Sequence, residues 1–236
     1  MEDQPAVEAI EIERKYEVAV DAPLPPNAAF QAVGFEADPP AAFQLVASYF
    51  DTPREALARI GVAVRVREGG KDAGWHLKQR EASGVRELQW PPSQEMPAAL
   101  AAEIRARIGD AVAEVVPRAE LRTDRVILVL RDSGGRAAVE IADDRVLATD
   151  HARGVRRAWR EWEAEVLPDG AEFQLDVIEP VLVQAGAQLS ASPAKIARAT
   201  GKLLDLARQR GASEGQIAAL SALDVADQEA ARRLEA

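Results

Sequence analysis

The chain has 236 residues, and its 39 acidic against 29 basic side chains leave a formal net charge of −10. A hydrophobic content of 47% is ordinary for a globular chain and excludes disorder for want of a core, while the acidity argues against a dedicated reader of duplex nucleic acid. There is no cysteine, which excludes disulfides and thiolate metal sites, and only His76 and His151 supply imidazole, so any metal must be held mainly by carboxylates, favouring Mg2+ or Mn2+. No stretch approaches the roughly 20 apolar residues of a membrane span, and the Met-Glu-Asp-Gln-Pro start lacks the pattern of a signal peptide. A soluble cytoplasmic protein with no membrane partner is the expectation.

Ala9 to Val20 alternates at period two over its first half and predicts a strand. Pro23, Pro25 and Pro26 end it, and Asn27 is placed to cap a short helix through Val33. A second strand is predicted over Phe43 to Phe50, stopped by Asp51-Thr52-Pro53, with one or two helical turns over Arg54 to Ile60. Val62 to Glu68 and Trp75 to Arg80 form a hairpin about Gly69, Gly70 and Gly74, and Ser83-Gly84 turns the chain into Val85 to Trp90. Met96 to Ile108 sets Leu100, Ile104 and Ile108 at spacing four before Gly109, an amphipathic helix with a stop signal.

Strands follow over Ala119 to Leu130, Ala137 to Thr149 and Val155 to Leu167. Ala171 to Ala185 and Ser192 to Arg210 read as helices, continued by an Ala/Glu/Gln/Arg-rich tail to Ala236 with Gly211 and Gly215 as interruptions. Eight strands with helices between and after them describe an α+β domain on a largely antiparallel sheet. Residues 1–210 are expected to form one domain, and 211–236 a helical tail or the start of a linker to a further domain.

Charge segregates on the strands. Glu11, Glu13 and Lys15 share one face, Arg65 and Arg67 another, Lys78 and Arg80 a third, and Glu161, Glu163 and Glu165 a fourth, with Glu140 between Val139 and Ile141. Any one of these strands reads most simply as a solvated sheet face. Together they group by sign, with carboxylates on the first and last strands and cations on the middle ones. If the sheet closes into a barrel, its lumen holds acids beside bases. Carboxylates can hold Mg2+ or Mn2+, and Arg and Lys can grip phosphate oxygens, which is the chemistry of phosphoryl or nucleotidyl transfer. Simpler roles suffice elsewhere: His76 as a hydrogen-bonded structural residue, and Trp162, opposite in parity to the glutamates, as exterior packing.

Glu11-Ile12-Glu13-Arg14-Lys15 is an ExExK motif on a first strand. It is followed in order by Tyr49-Phe50-Asp51-Thr52-Pro53, Arg65-Val66-Arg67, Trp75 to Lys78, Arg86-Glu87, Thr123-Asp124-Arg125, Val139-Glu140-Ile141, Glu161 to Glu165, and Ser192 to Ala197 with Lys195. Over roughly residues 8–205 the chain resembles the CYTH family, the triphosphate tunnel metalloenzymes. The resemblance implies an eight-stranded antiparallel β-barrel tunnel with helices packed outside. It implies Glu11, Glu13, Glu140, Glu161 and Glu163 as metal ligands, and Arg65, Arg67, Lys78, Arg80, Arg125 and Lys195 as triphosphate contacts. Lys15 joins those contacts or orients the catalytic water, giving Lys15, Glu11 and Glu13 as the expected catalytic set. Glu165, Asp144 and Glu87 lie on matching faces.

The activity implied is metal-dependent hydrolysis of inorganic triphosphate or a related polyphosphate. The family also includes adenylate cyclases and thiamine triphosphatases, and a polyphosphate-binding module is the non-enzymatic alternative. Its members are often joined to a CHAD domain, the partner domain expected if the tail after Gly211 leads onward.

Overall fold

The computed structural model describes residues 6–81, 84–192 and 194–234; Ser83 of the predicted Ser83-Gly84 turn lies outside the described residues. The strands are β1 (Val7–Glu11), β2 (Glu13–Glu17), β3 (Glu36–Ala37), β4 (Ala41–Asp51), β5 (Val62–Glu68), β6 (Gly74–Glu81), β7 (Gly84–Trp90), β8 (Val116–Arg131), β9 (Ala137–Asp150), β10 (Val155–Val166) and β11 (Gln188–Leu189). They pair antiparallel in one sheet of order β1-β7-β6-β5-β4-β8-β9-β10-β2-β11, with β3 on β8. Eight of the predicted strand positions are filled. The first strand divides at Ile12, and the two-residue strands β3 and β11 are additional.

The division at Ile12 shapes the sheet. β1 pairs with β7 at one end of the path and β2 pairs with β10 toward the other. Among the described residues no strand ladder closes the path. Its ends instead meet along the chain, through one residue whose carbonyl accepts from the Val166 amide at 2.9 Å. The curled sheet therefore has an inner face, where the charged alternate residues point, and an outer face clad in helices.

The helices are α1 (Asn27–Gln31), α2 (Ala56–Arg59), α3 (Ala98–Ile108), α4 (Phe173–Gln184), α5 (Lys195–Ala199), α6 (Leu203–Gln209) and α7 (Glu214–Leu234). Leu100 and Ile104 of α3 bury against Leu57, Val62, Val64, Leu77 and Leu88. Leu175, Ile178 and Leu182 of α4 bury against Tyr16, Leu130, Ile141 and Trp162. Side chains of this size contribute about 1.5–3 kcal/mol each when fully buried. Trp162 is thus exterior core, as its parity predicts.

Three details differ from the sequence reading. Pro26 holds the cap position of α1, and the Asn27 side chain instead accepts from the Ala37 amide at 2.8 Å. The helix predicted over Ser192 to Arg210 is two short helices, because Gly201 adopts φ +65° and breaks the run. Gly215 lies inside α7 and interrupts nothing, whereas Gly211, at φ +72°, precedes it. Among the described residues no helix is long and apolar enough to cross a membrane.

Candidate active site

The inner face of β2, β8, β9 and β10 carries a knot of opposite charges. Register sets Glu163 across from Lys15, Glu161 across from Asp144, and Asp144 across from Arg125. Arg125 forks onto Asp144 at 2.7 and 2.6 Å and reaches Glu163 at 2.8 Å. The Lys15 ammonium donates to Glu163 and lies 2.9 Å from Glu13. From α5, the Lys195 ammonium lies 2.5 Å from Glu161, 2.6 Å from Glu163 and 3.0 Å from Asp144.

Mutual compensation keeps Glu163, Asp144, Lys15, Lys195 and Arg125 ionised. Burial opposes the Glu163 carboxylate, but Lys15, Lys195 and Arg125 outweigh it and hold its pKa well below the ordinary value. Burial likewise opposes the Lys195 ammonium, and Glu161, Glu163 and Asp144 hold it well above the usual lysine range.

The wall formed by β5, β6 and β7 is different. Lys78 donates to both oxygens of Glu11, at 2.7 and 2.6 Å, and lies 3.3 Å from Glu87, its register partner. Arg65 donates to the Tyr49 hydroxyl at 3.3 Å and stands 3.9 Å from Glu87. Arg67 pairs with Asp72 of the β5–β6 turn. Yet the Nε atoms of both Arg65 and Arg67 are buried without a hydrogen-bond partner among the described residues. Burial, and then repulsion from Arg65 and Arg125, lower the Arg67 pKa to about 9. Buried guanidinium groups with spare donors are poised for an anion.

His76 is fully buried on the Lys78 face of β6, with Nδ1 2.7 Å from Glu87 and Nε2 2.9 Å from the Asp72 carbonyl. Burial pushes its pKa down to about 4, so near neutral pH the ring is uncharged, a structural prop for Glu87 and the turn. Glu165 faces the same interior, where burial and the adjacent Glu11 push its carboxyl up to about 7.

Both walls face a cavity of about 420 Å³. Glu11, Glu13, Lys15, Arg65, Arg67, Lys78, Arg80, Arg125, Glu163 and Lys195 all line it, as does Glu165. Arg80 is exposed there. Glu161 sits behind the lining, fully buried, accepting from Trp159 Nε1 at 2.8 Å. Glu140 also stands off the lining, half-buried and 3.4 Å from Lys71. Asp144, outside the expected ligand set, is the acid that joins Glu161 and Glu163, each offering an oxygen within 4.8 Å of the others. Its signal was parity, since it is four residues from Glu140 on one strand, whereas Asp143 faces outward to Arg160 at 2.7 Å.

The CYTH domain family model matches residues 9–199. This chain belongs to the CYTH domain family. An uncharacterized Mycobacterium tuberculosis protein, MT2285, is 35% identical over 209 residues, which cover 81% of this chain and 40% of that protein, so the match takes in well under half of the relative. The fold is similar to that of a candidate adenylate cyclase from Bacillus halodurans, with TM-score 0.53 and 19% identity over 81% of this chain and 97% of the other. HpAC1 of Hippeastrum, a candidate adenylyl cyclase described as having a dominant triphosphatase activity, aligns with TM-score 0.47 and 18% identity over 86% and 97%.

The residues present fit a metal: Asp144, Glu161 and Glu163 form a buried, all-oxygen donor set, the chemistry of a site for a hard divalent cation.

Proposed function

We propose that this CYTH protein is a metal-dependent triphosphatase that hydrolyses inorganic triphosphate or a related short polyphosphate. The observation that carries this reading is the pairing of two unlike walls on one cavity: on one side Glu163, backed by buried Asp144 and Glu161, and on the other buried arginines with unused donors. A linear polyanion takes up the spare donors of Arg65 and Arg67, with Lys78 as a further cationic contact. Arg125, Lys15 and Lys195 bear on the carboxylates and complete the cationic ring, while Arg80 reaches the chain from the exposed side. Asp144, Glu161 and Glu163, with Glu11, Glu13 and Glu140 beside them, are the proposed holders of Mg2+ or Mn2+. When bound, such an ion neutralises phosphate charge and acidifies a water.

In the reaction, a water oxygen bonds to the terminal phosphorus and the bridging P–O bond breaks, releasing phosphate and pyrophosphate. Lys15, held between Glu13 and Glu163, is placed to orient that water or the terminal phosphoryl group. Hydrolysis is favoured over cyclisation of a nucleotide because Tyr49 is the one aromatic ring among the described lining residues, and its hydroxyl is engaged by Arg65. Trp159 is buried beneath Arg198 and does not line the cavity. For the full length of relatives such as MT2285, a CHAD-like helical region remains the proposed partner domain.

Phosphate release with Mg2+ or Mn2+ is the test, comparing inorganic triphosphate with ATP and thiamine triphosphate. The expected result is fastest release from inorganic triphosphate. Cyclic AMP formed from ATP would point to a cyclase, and binding without release from any substrate would make the tunnel a polyphosphate-holding module.

A further inference from the structure

The C-terminal helix α7 sends two carboxylates to the tunnel wall. Asp227, 5% exposed at its side chain, accepts from Arg198 Nε at 2.7 Å and from its Nη2 at 2.9 Å. Arg198 sits on α5, one turn after Lys195. The same guanidinium donates to Glu17 of β2 at 2.7 Å and lies 4.8 Å from the centroid of the Trp159 ring, whose Nε1 holds Glu161. A second strut runs from Asp224, which accepts from Arg157 Nε at 2.6 Å; Arg157 Nη1 in turn donates to the Ala199 carbonyl at 3.0 Å, at the end of α5. Gly201 follows after Thr200, at a point where a Cβ would strike the Arg157 guanidinium.

A helix of five residues has no independent stability, so the place of α5 is set by what grips it. Beside Glu17 of β2, two of the grips just described run to α7, Arg198 directly to Asp227 and Arg157 to Asp224, and α7 lies beyond residue 199, where the family match ends. We propose that Asp227 and Asp224 are positioning residues: through Arg198 and Arg157 they fix α5 and thereby hold the Lys195 ammonium against Asp144, Glu161 and Glu163. The last helix is therefore part of the phosphate-binding apparatus. This inference rests on the triphosphatase reading only for its consequence in phosphate binding; the placement of Lys195 is a matter of geometry and has a readout of its own.

The first measurement is acetylation of lysines by a water-soluble ester, followed residue by residue by mass spectrometry. Asp227→Asn is expected to raise the Lys195 rate about tenfold through local release of α5, while Lys15, held by strand residues Glu13 and Glu163, keeps its rate. Asp227→Glu should restore protection. Unchanged Lys195 protection, or a parallel rise at Lys15, would overturn the inference, the latter because it reports general loosening of the fold.

The second measurement is tripolyphosphate affinity by calorimetry in a double-variant cycle. Asp227→Asn should weaken binding about tenfold in the native background and add nothing in a Lys195→Ala background. Equal losses in both backgrounds would show that Asp227 does not act through Lys195. If the native protein binds no tripolyphosphate while the acetylation pattern appears as expected, the proposed substrate fails and the positioning role stands.

Discussion

The two walls of the cavity use the same residue types to opposite ends. On the β8–β9–β10 wall every cation is matched: Arg125 forks onto Asp144, and Lys15 and Lys195 converge on Glu163. On the β5–β6 wall Arg65 and Arg67 keep buried Nε donors without partners among the described residues, and Arg65 stands 3.9 Å from Glu87. The first arrangement is assembled before any ligand arrives. The second carries unmet demand for an anion, an expense a folded protein tolerates where a ligand is to be gripped. Substitutions that look alike on paper should therefore behave differently on the two walls.

The largest effect is expected from Glu163→Gln. It leaves Lys15, Lys195 and Arg125 sharing too little negative charge, so stability should fall by about 3–5 kcal/mol, as when one partner of a buried ion pair is removed. Phosphate release should drop by about 100-fold or more in the fraction that remains folded. Thermal denaturation and steady-state assays read the two effects separately. Glu11→Ala and Glu13→Ala should also nearly abolish turnover while the protein still folds; full activity in both would remove those residues from the proposed site.

Arg67→Met is the mirror experiment. It removes a desolvated guanidinium whose one partner, Asp72, is half exposed, so stability should hold or rise by about 1 kcal/mol. Tripolyphosphate affinity should fall by about 10- to 100-fold, the worth of a charge-assisted contact. A loss of stability like that of Glu163→Gln would erase the contrast between the walls.

A pH titration sharpens the comparison further. The folded, metal-free protein holds a proton on Glu165 up to about pH 7, whereas the unfolded chain releases it near the model-peptide value of 4.5. The folded state therefore loses stability as pH rises from about 4.5 to 7, by an amount on the order of 3 kcal/mol once both states are ionised. Glu11, also raised by burial, works in the same direction. Glu165→Gln should flatten that part of the profile, measured by denaturant unfolding across the range. The smallest effect belongs to Lys71→Ala, whose exposed side chain lies 3.4 Å from Glu140: a change within about 0.5 kcal/mol.

Much of this site was legible because strand parity is local. Alternation over Val62 to Glu68 puts Arg65 and Arg67 on the face away from Val62 and Val64, and the same rule aligns Glu161, Glu163 and Glu165. What escaped depends on register and on distant chain. Parity sets Asp144 on the face of Glu140 and Asp143 on the other, but only pairing with β8 and β10 brings Asp144 to Arg125 and Glu161. The division of the first strand at Ile12 arises because its halves bond to different neighbours, β7 and β10, which no local pattern encodes. Arg198 gave no sign of its importance, because its partners Glu17 and Asp227 are respectively 181 and 29 residues away.

The most direct test of the two-wall account is a crystal structure with tripolyphosphate and Mn2+. The account predicts an anomalous manganese peak at Asp144, Glu161 and Glu163 and a phosphate chain whose oxygens meet Arg65 and Arg67. Manganese away from that cluster, or a phosphate chain bound with both guanidinium groups left unengaged, would contradict it.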